Sequence, residues 1–280
     1  MSSKRRILAF VAICMSFYLI ALGALFANQR SLIFAAPDRP WPNTNDFRTI
    51  TYRTSDGLSL RGLFRPAAPG KPTVIFFHGN GDSLSGSLVA TEAFAAAGYG
   101  LLLHEYRGYG GNPGAPNEAG LYADGRAART WLSNEGVPLD HQILIGFSLG
   151  TGLATQLAME TKPAALVLIS PYTSMPDAVS SRFRGFIPAQ WLVLDRFETS
   201  AKLARVNAPV LILHDRDDRL IPVAQGERLA TLVPIAKLIV FSGHGHALGY
   251  STEAQSAEID WLAGLNPKLA NQIPSTAYHP

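Results

Sequence analysis

The chain has one cysteine, Cys14, in 280 residues. A lone thiol excludes an intramolecular disulfide and leaves the redox compartment open. Beyond the first residues there is no cluster of Lys and Arg interleaved with aromatics. The electrostatic footprint of a nucleic-acid-binding protein is therefore missing. The formal net charge is +3, and Lys4, Arg5 and Arg6 alone supply that much. No internal repeat is present, and His, Cys, Asp and Glu fall at no spacing that matches a zinc or calcium loop. Neither a metal nor an organic cofactor is called for. What the chain does have is apolar residues, 47% of the total, enough for one substantial α/β domain.

The first apolar run is Ile7 to Ala27, uncharged, preceded by Lys4-Arg5-Arg6 and closed by Asn28-Gln29-Arg30. Its length suffices to cross a bilayer as a helix, so residues 1–28 read as a transmembrane signal anchor. Ala21-Leu22-Gly23 is a passable cleavage site that would make the segment a signal peptide and the product secreted. The apolar run continues past that site, which favours a retained anchor. The positive-inside rule puts the N-terminus in the cytoplasm and the remainder on the extracytoplasmic side, in the periplasm or its equivalent.

Residues 29–264 read as a single domain, with 265–280 as a loose tail. Phe47 to Thr54 and Leu58 to Arg65 alternate apolar and polar residues around the turn Ser55-Asp56-Gly57, predicting an antiparallel hairpin. Short apolar strands then alternate with helical stretches. The strands are 73–77, 99–104, 142–145, 166–169, 210–213 and 237–241; the helices are 85–97, 117–134, 149–160, 224–232 and 252–262. Such alternation implies a mostly parallel sheet with helices on both faces. Residues 171–207 interrupt it with Phe183, Phe186, Ile187, Trp191, Leu192, Val193, Leu194 and Phe197. An apolar insertion beyond the C-terminal ends of two strands is placed to act as a small helical lid over a pocket.

Gly146-Phe147-Ser148-Leu149-Gly150 lies between an apolar strand and a helix. A Gly-x-Ser-x-Gly in that setting is a nucleophile elbow, in which the glycines allow a turn that exposes the serine hydroxyl. Serine needs a base, and the base needs a carboxylate to orient it, both on loops after later strands. His246, in Ser242-Gly243-His244-Gly245-His246, is the expected base, with His244 its competitor. After the strand 210–213 come Asp215, Asp217 and Asp218. Asp218 is the expected acid because it precedes the apolar Leu220-Ile221-Pro222. Asp215 and Asp217 are expected to be solvated or paired with Arg216 and Arg219, and Asp177 is an outside candidate. The glycine-rich His78-Gly79-Asn80-Gly81 follows the third strand, so the backbone amides of Asn80 and Leu149 are the expected oxyanion donors.

These motifs carry a resemblance. Gln29-Arg30-Ser31-Leu32-Ile33-Phe34, His78-Gly79-Asn80-Gly81, Glu105-Tyr106-Arg107-Gly108-Tyr109-Gly110, the elbow, Asp218 to Pro222 and Gly243 to His246 occur in order over about residues 29 to 264. The chain resembles the α/β-hydrolase superfamily, in the branch of membrane-anchored single-domain serine hydrolases whose relatives include protein depalmitoylases. The resemblance implies the α/β-hydrolase fold, Ser148 as nucleophile, Asp218 as acid and His246 as base. The chain departs from the pattern at Asp215 and Thr151, where relatives usually carry glycine, and at Glu105, where they often carry aspartate. No catalytic group is lost. The expected activity is cleavage of an ester or thioester in a small-molecule or acylated substrate, held to the membrane by the N-terminal helix. The alternatives are a peptidase or amidase on the same groups, and a non-catalytic anchored binding module.

Overall fold

The computed structural model describes residues 3–234 and 236–265. The expected tail lies outside them, apart from Leu265, which ends the last helix. Eight strands form one sheet in the order β1-β2-β4-β3-β5-β6-β7-β8. They are β1 (Arg48–Arg53), β2 (Ser59–Arg65), β3 (Thr73–Phe77), β4 (Gly100–His104), β5 (Gln142–Phe147), β6 (Ala165–Ile169), β7 (Val210–Asp215) and β8 (Lys237–Phe241). β1 and β2 form the expected antiparallel hairpin, and β2 meets β4 antiparallel. All later pairings are parallel. The hairpin turn is closed by Thr54, whose Oγ1 donates to Asp56 Oδ1 at 2.6 Å and accepts from the Leu58 amide at 2.9 Å.

The central strands are buried on both faces, so successive residues feed two separate cores. Ile75, Phe77, Leu102, Leu144, Leu168 and Ile212 point into one core. It is covered by the helices α4 (Glu118–Asn134), α5 (Leu149–Glu160) and α9 (Val223–Thr231). Val74, Phe76, Leu103, Ile145, Val167 and Leu213 point into the other. That face is covered by α2 (Leu84–Ala90), α3 (Glu92–Ala96) and α10 (Thr252–Leu265). The single helix expected over 85–97 is thus two, divided at Thr91. The Thr91 hydroxyl donates to the Ser87 carbonyl at 2.8 Å, a back-bond that helps a helix bend or end.

Two features hold the loops above the sheet. Arg107, after β4, donates to both oxygens of buried Asp124 and, at 2.7 and 3.1 Å, to Asp56 of the hairpin turn. The insertion between β6 and β7 folds into α6 (Met175–Arg182), α7 (Ala189–Leu192) and α8 (Thr199–Leu203).

The N-terminal apolar run is one helix, α1 (Ser3–Ile33), which continues through residue 28 without a break. Its 31 residues give a length of roughly 46 Å, against about 30 Å for a bilayer's hydrocarbon core. By length and composition it can cross a membrane. Its C-terminal end is fastened to the domain. Gln29 donates to the Leu192 carbonyl and accepts from the Leu194 amide, Arg30 pairs with Asp195 at 3.0 Å, and Phe34 is buried edge-on to Phe197.

Glu258 of α10 is fully buried, and its Oε1 has no hydrogen-bond partner. Burial pushes its carboxyl well above the ordinary 4.5, so the folded protein holds it neutral. The folded state then binds a proton that the unfolded chain releases above about pH 4.5, and stability falls as pH rises from there. Glu258→Gln should remove this slope. Urea unfolding at pH 4.5 and pH 8 should show the variant gaining stability over the wild type at the higher pH. An equal difference at both pH values would contradict the assignment.

Candidate active site

Ser148 stands between β5 and α5 at φ 50 and ψ −115, in a region that L-residues rarely occupy. Such a conformation costs about 1–3 kcal/mol and persists only where the surroundings enforce it. The enforcement is steric. A Cβ on Gly150 would lie 2.0 Å from the Phe77 carbonyl oxygen, and one on Gly146 would lie 2.5 Å from the Gly150 carbonyl oxygen. Only glycine lets β5, the turn and α5 approach β3 this closely. The turn is also tied at 2.9 Å on each side, by the Ser148 amide to the Ile169 carbonyl and by the Thr151 amide to the Ser148 carbonyl.

The Ser148 hydroxyl meets His246 Nε2 at 2.9 Å. His246 lies in a short 3-10 segment after β8, Gly245–Tyr250. Its Nδ1 meets Asp218 Oδ2 at 2.8 Å. A carboxylate only accepts, so Nδ1 carries the proton and Nε2 turns its lone pair to the serine. Asp218 Oδ1 accepts from the Leu220 and Ile221 amides, each at 2.9 Å. Burial pushes the Asp218 carboxyl up, but His246 and these two amides outweigh it and hold the group below the usual carboxylate range. The acid stays charged and the imidazole stays oriented. Such an array can draw a proton from the serine hydroxyl.

The competing residues do other work. Of the two aspartates expected to be solvated or paired with Arg216 and Arg219, Asp217 is exposed as expected and Asp215 is not, and both accept from backbone amides. Asp215 binds the Asp217 and His244 amides at 2.7 and 2.9 Å, and Asp217 binds the Gly243 amide at 2.9 Å. They pin the histidine loop to the aspartate loop. Asp215 is fully buried to do so, which explains a carboxylate at that position. The His244 ring lies beside Phe241, 6.3 Å between centroids, while His246 alone reaches the serine. Asp177 accepts from Thr173 and Gln190 within the insertion.

Asn80, Ser148 and Leu149 line one cavity of about 170 Å³. Among the described residues neither the Asn80 nor the Leu149 amide donates a hydrogen bond. The Asn80 side chain is occupied elsewhere, since its Oδ1 accepts from the Ala35 amide at 2.8 Å and from the Tyr109 hydroxyl at 3.0 Å. Beneath this loop lies a buried pair, with His78 Nε2 2.8 Å from Glu105 Oε1 and Nδ1 2.8 Å from the Gly79 carbonyl oxygen. Burial lowers the pKa of His78, but Glu105 outweighs it and lifts the group above the usual histidine value. The carboxylate-imidazole pair thus braces the backbone that presents the Asn80 amide.

Sequence reasoning missed part of the cavity wall. Leu32 and Ile33, from the end of α1, line it together with Met175, Ala178, Val179, Arg182 and Phe183 of the insertion. The available signal was the return of apolar residues at Leu32-Ile33-Phe34 after the polar Asn28-Gln29-Arg30.

A parallel sheet whose central strand ends in a tight Gly-x-Ser-x-Gly turn, with later loops converging on the serine, is the architecture of an α/β hydrolase. The family model described as the alpha/beta hydrolase fold matches residues 72–192. The chain is 36% identical over 258 residues to an uncharacterized protein of Mycobacterium tuberculosis, covering 88% of this chain and 90% of that one. It is 30% identical over 192 residues to lysophosphatidylserine lipase ABHD12 of Danio rerio, covering 62% of this chain and 50% of the relative. The chain therefore spans about half the length of that lipase. Among solved structures, an esterase of Pyrococcus furiosus superposes with a TM-score of 0.66 at 19% identity, over 82% of this chain and 95% of that one. The chain belongs to the α/β-hydrolase superfamily.

Gly150→Ala should force the elbow away from β3, destabilising the fold by about 1–3 kcal/mol. It should also reduce turnover beyond what the lost stability explains. Thermal unfolding paired with an ester assay well below the variant's Tm checks both, and wild-type behaviour would contradict the steric argument.

Proposed function

We propose that this hydrolase cleaves a carboxylic ester or thioester through an acyl-enzyme on Ser148. The observation that carries the reading is the continuous hydrogen-bonded line Asp218–His246–Ser148 opening into a cavity that two undonated amides share. His246 Nε2 takes the Ser148 proton as Oγ attacks the carbonyl carbon. The carbonyl electron pair moves to oxygen, where the Asn80 and Leu149 amides donate to it. His246 then gives its proton to the departing alkoxide or thiolate. In the second half water attacks the acyl-enzyme, His246 accepts its proton, and Ser148 is restored as the acid product leaves. Asp218 holds the imidazole in its tautomer and stabilises the imidazolium.

The same reading treats α1 as a retained anchor. Its support is the unbroken helix to Ile33 and the bonds from Gln29 and Arg30 to the insertion. Lys4, Arg5 and Arg6 argue for an extracytoplasmic hydrolase domain. The substrate is a small molecule or an acylated one, and the lipase name of the ABHD12 relatives favours an acyl ester of an amphiphile.

Ser148→Ala should abolish labelling by a fluorophosphonate probe and cut turnover of p-nitrophenyl esters by roughly 10⁶. A variant keeping a tenth of the activity would end the assignment. Asp218→Asn should lower kcat by about 10⁴ through the wrong imidazole tautomer. Asp217→Asn, on the loop surface, should stay within severalfold of wild type, and the opposite ranking would move the acid.

A further inference from the structure

The cavity beside Ser148 has an unusual construction. Its lining includes the end of α1, through Leu32 and Ile33, and α6 with the residue after it, through Met175, Val179 and Phe183. Leu32 and Phe183 each line the cavity and are also exposed, so both parts of the lining run from the serine out to the surface. The cavity, about 170 Å³, is smaller than the roughly 300–1,000 Å³ of ordinary small-molecule pockets. A long acyl chain reaching Ser148 must therefore leave most of its length outside, between α1 and the insertion.

The surface it would meet there is apolar. Phe186 is 77% exposed and Trp191 is 88% exposed, and Leu194 is also exposed. This patch is continuous with α1. The Tyr18 hydroxyl donates to the Phe186 carbonyl at 2.9 Å, and Gln29 binds the backbone at Leu192 and Leu194. Tyr18 lies about 16 Å back along the helix from Gln29, so the insertion follows the apolar helix toward the bilayer. Arg182 and Arg184 flank Phe183, which gives the tip the aromatic and cationic make-up of an interfacial anchor.

We propose that the insertion tip, Phe186 and Trp191 foremost, is embedded in the same leaflet that α1 enters, and that the acyl chain reaches Ser148 from the bilayer through the gap between α1 and α6. The occupant of the exposed patch is the lipid surface itself. This rests on reading Ser148 as nucleophile and α1 as a retained anchor. The substrate class is then a long-chain acyl ester or thioester that resides in the membrane, with its polar part at the interface and its carbonyl drawn up to the serine.

The test uses the full chain in phosphatidylcholine nanodiscs. Phospholipids brominated at defined acyl positions should quench the fluorescence of Trp191, read as the difference between wild type and Trp191→Phe. Unquenched Trp191 overturns the embedding, whether the patch is then open to water or covered by a second copy of the chain. The paired measurement compares a short soluble ester with a long-chain ester carried in the same bilayer. Phe186→Ser with Trp191→Ser should leave the soluble ester within twofold of wild type. Turnover of the bilayer ester should drop roughly tenfold or more, since two aromatic anchors are lost. Equal rates on both substrates would overturn entry from the bilayer. Failure of wild type on both esters, with Trp191 quenched, would instead count against the hydrolase chemistry proposed for Ser148, and leave the embedding standing.

Discussion

The structure turns on how closely α5 approaches β3. Gly150 sits where any side chain would enter the Phe77 carbonyl, and that approach forces Ser148 into its rare backbone conformation. Several other features depend on it. The hydroxyl stands clear of the sheet, and the Leu149 amide becomes the first free donor of a helix N-terminus. The loop after β3, held by Asn80, Tyr109 and Ala35, comes to face the same cavity. A strain of about 1–3 kcal/mol is small beside what a two-sided core of this size stabilises, which is why the fold can hold it.

Polar groups around the site are used mainly to stiffen it. Asp215 and Asp217 join the two loops that carry Asp218 and His246, and Arg107 bridges Asp124 to the hairpin turn. His78 and Glu105 brace the loop of Asn80 from below. These carboxylates accept from amides, an imidazole or a guanidinium, so the loops that carry the proposed catalytic groups are tied to their neighbours. Surface ion pairs contribute little stability, about 0–1 kcal/mol, but buried ones with every oxygen used confer position.

The link between α1 and the insertion joins anchoring to access. The helix that by composition can cross a membrane also supplies Leu32 and Ile33 to the cavity wall. Removing it would take away the part of the cavity wall that Leu32 and Ile33 supply. On the proposed reading of α1 as a retained anchor, anchor and pocket are one construction, which suits the proposed membrane-resident substrate.

The sequence by itself determined the fold class, the hairpin, the order of strands and helices along the chain and the proposed triad of Ser148, Asp218 and His246. Those features rest on local patterns, in which apolar periodicity and glycine spacing leave few alternatives. The split at Thr91, the burial of Asp215 and the duties of Asp217 were decided only by tertiary structure. Each depends on partners distant in sequence: Gln255 bonds the backbone at Val89 and Ala93 on either side of Thr91, the His244 amide lies opposite Asp215, and the Gly243 amide opposite Asp217. The same holds for the pocket wall. Apolar Leu32 and Ile33 read equally well as the tail of a membrane helix, and only the hydrogen bonds of Gln29, Arg30 and Ala35 across more than forty residues bring them to the serine. Periodicity reports which face of an element is apolar, but three-dimensional packing alone selects what that face meets.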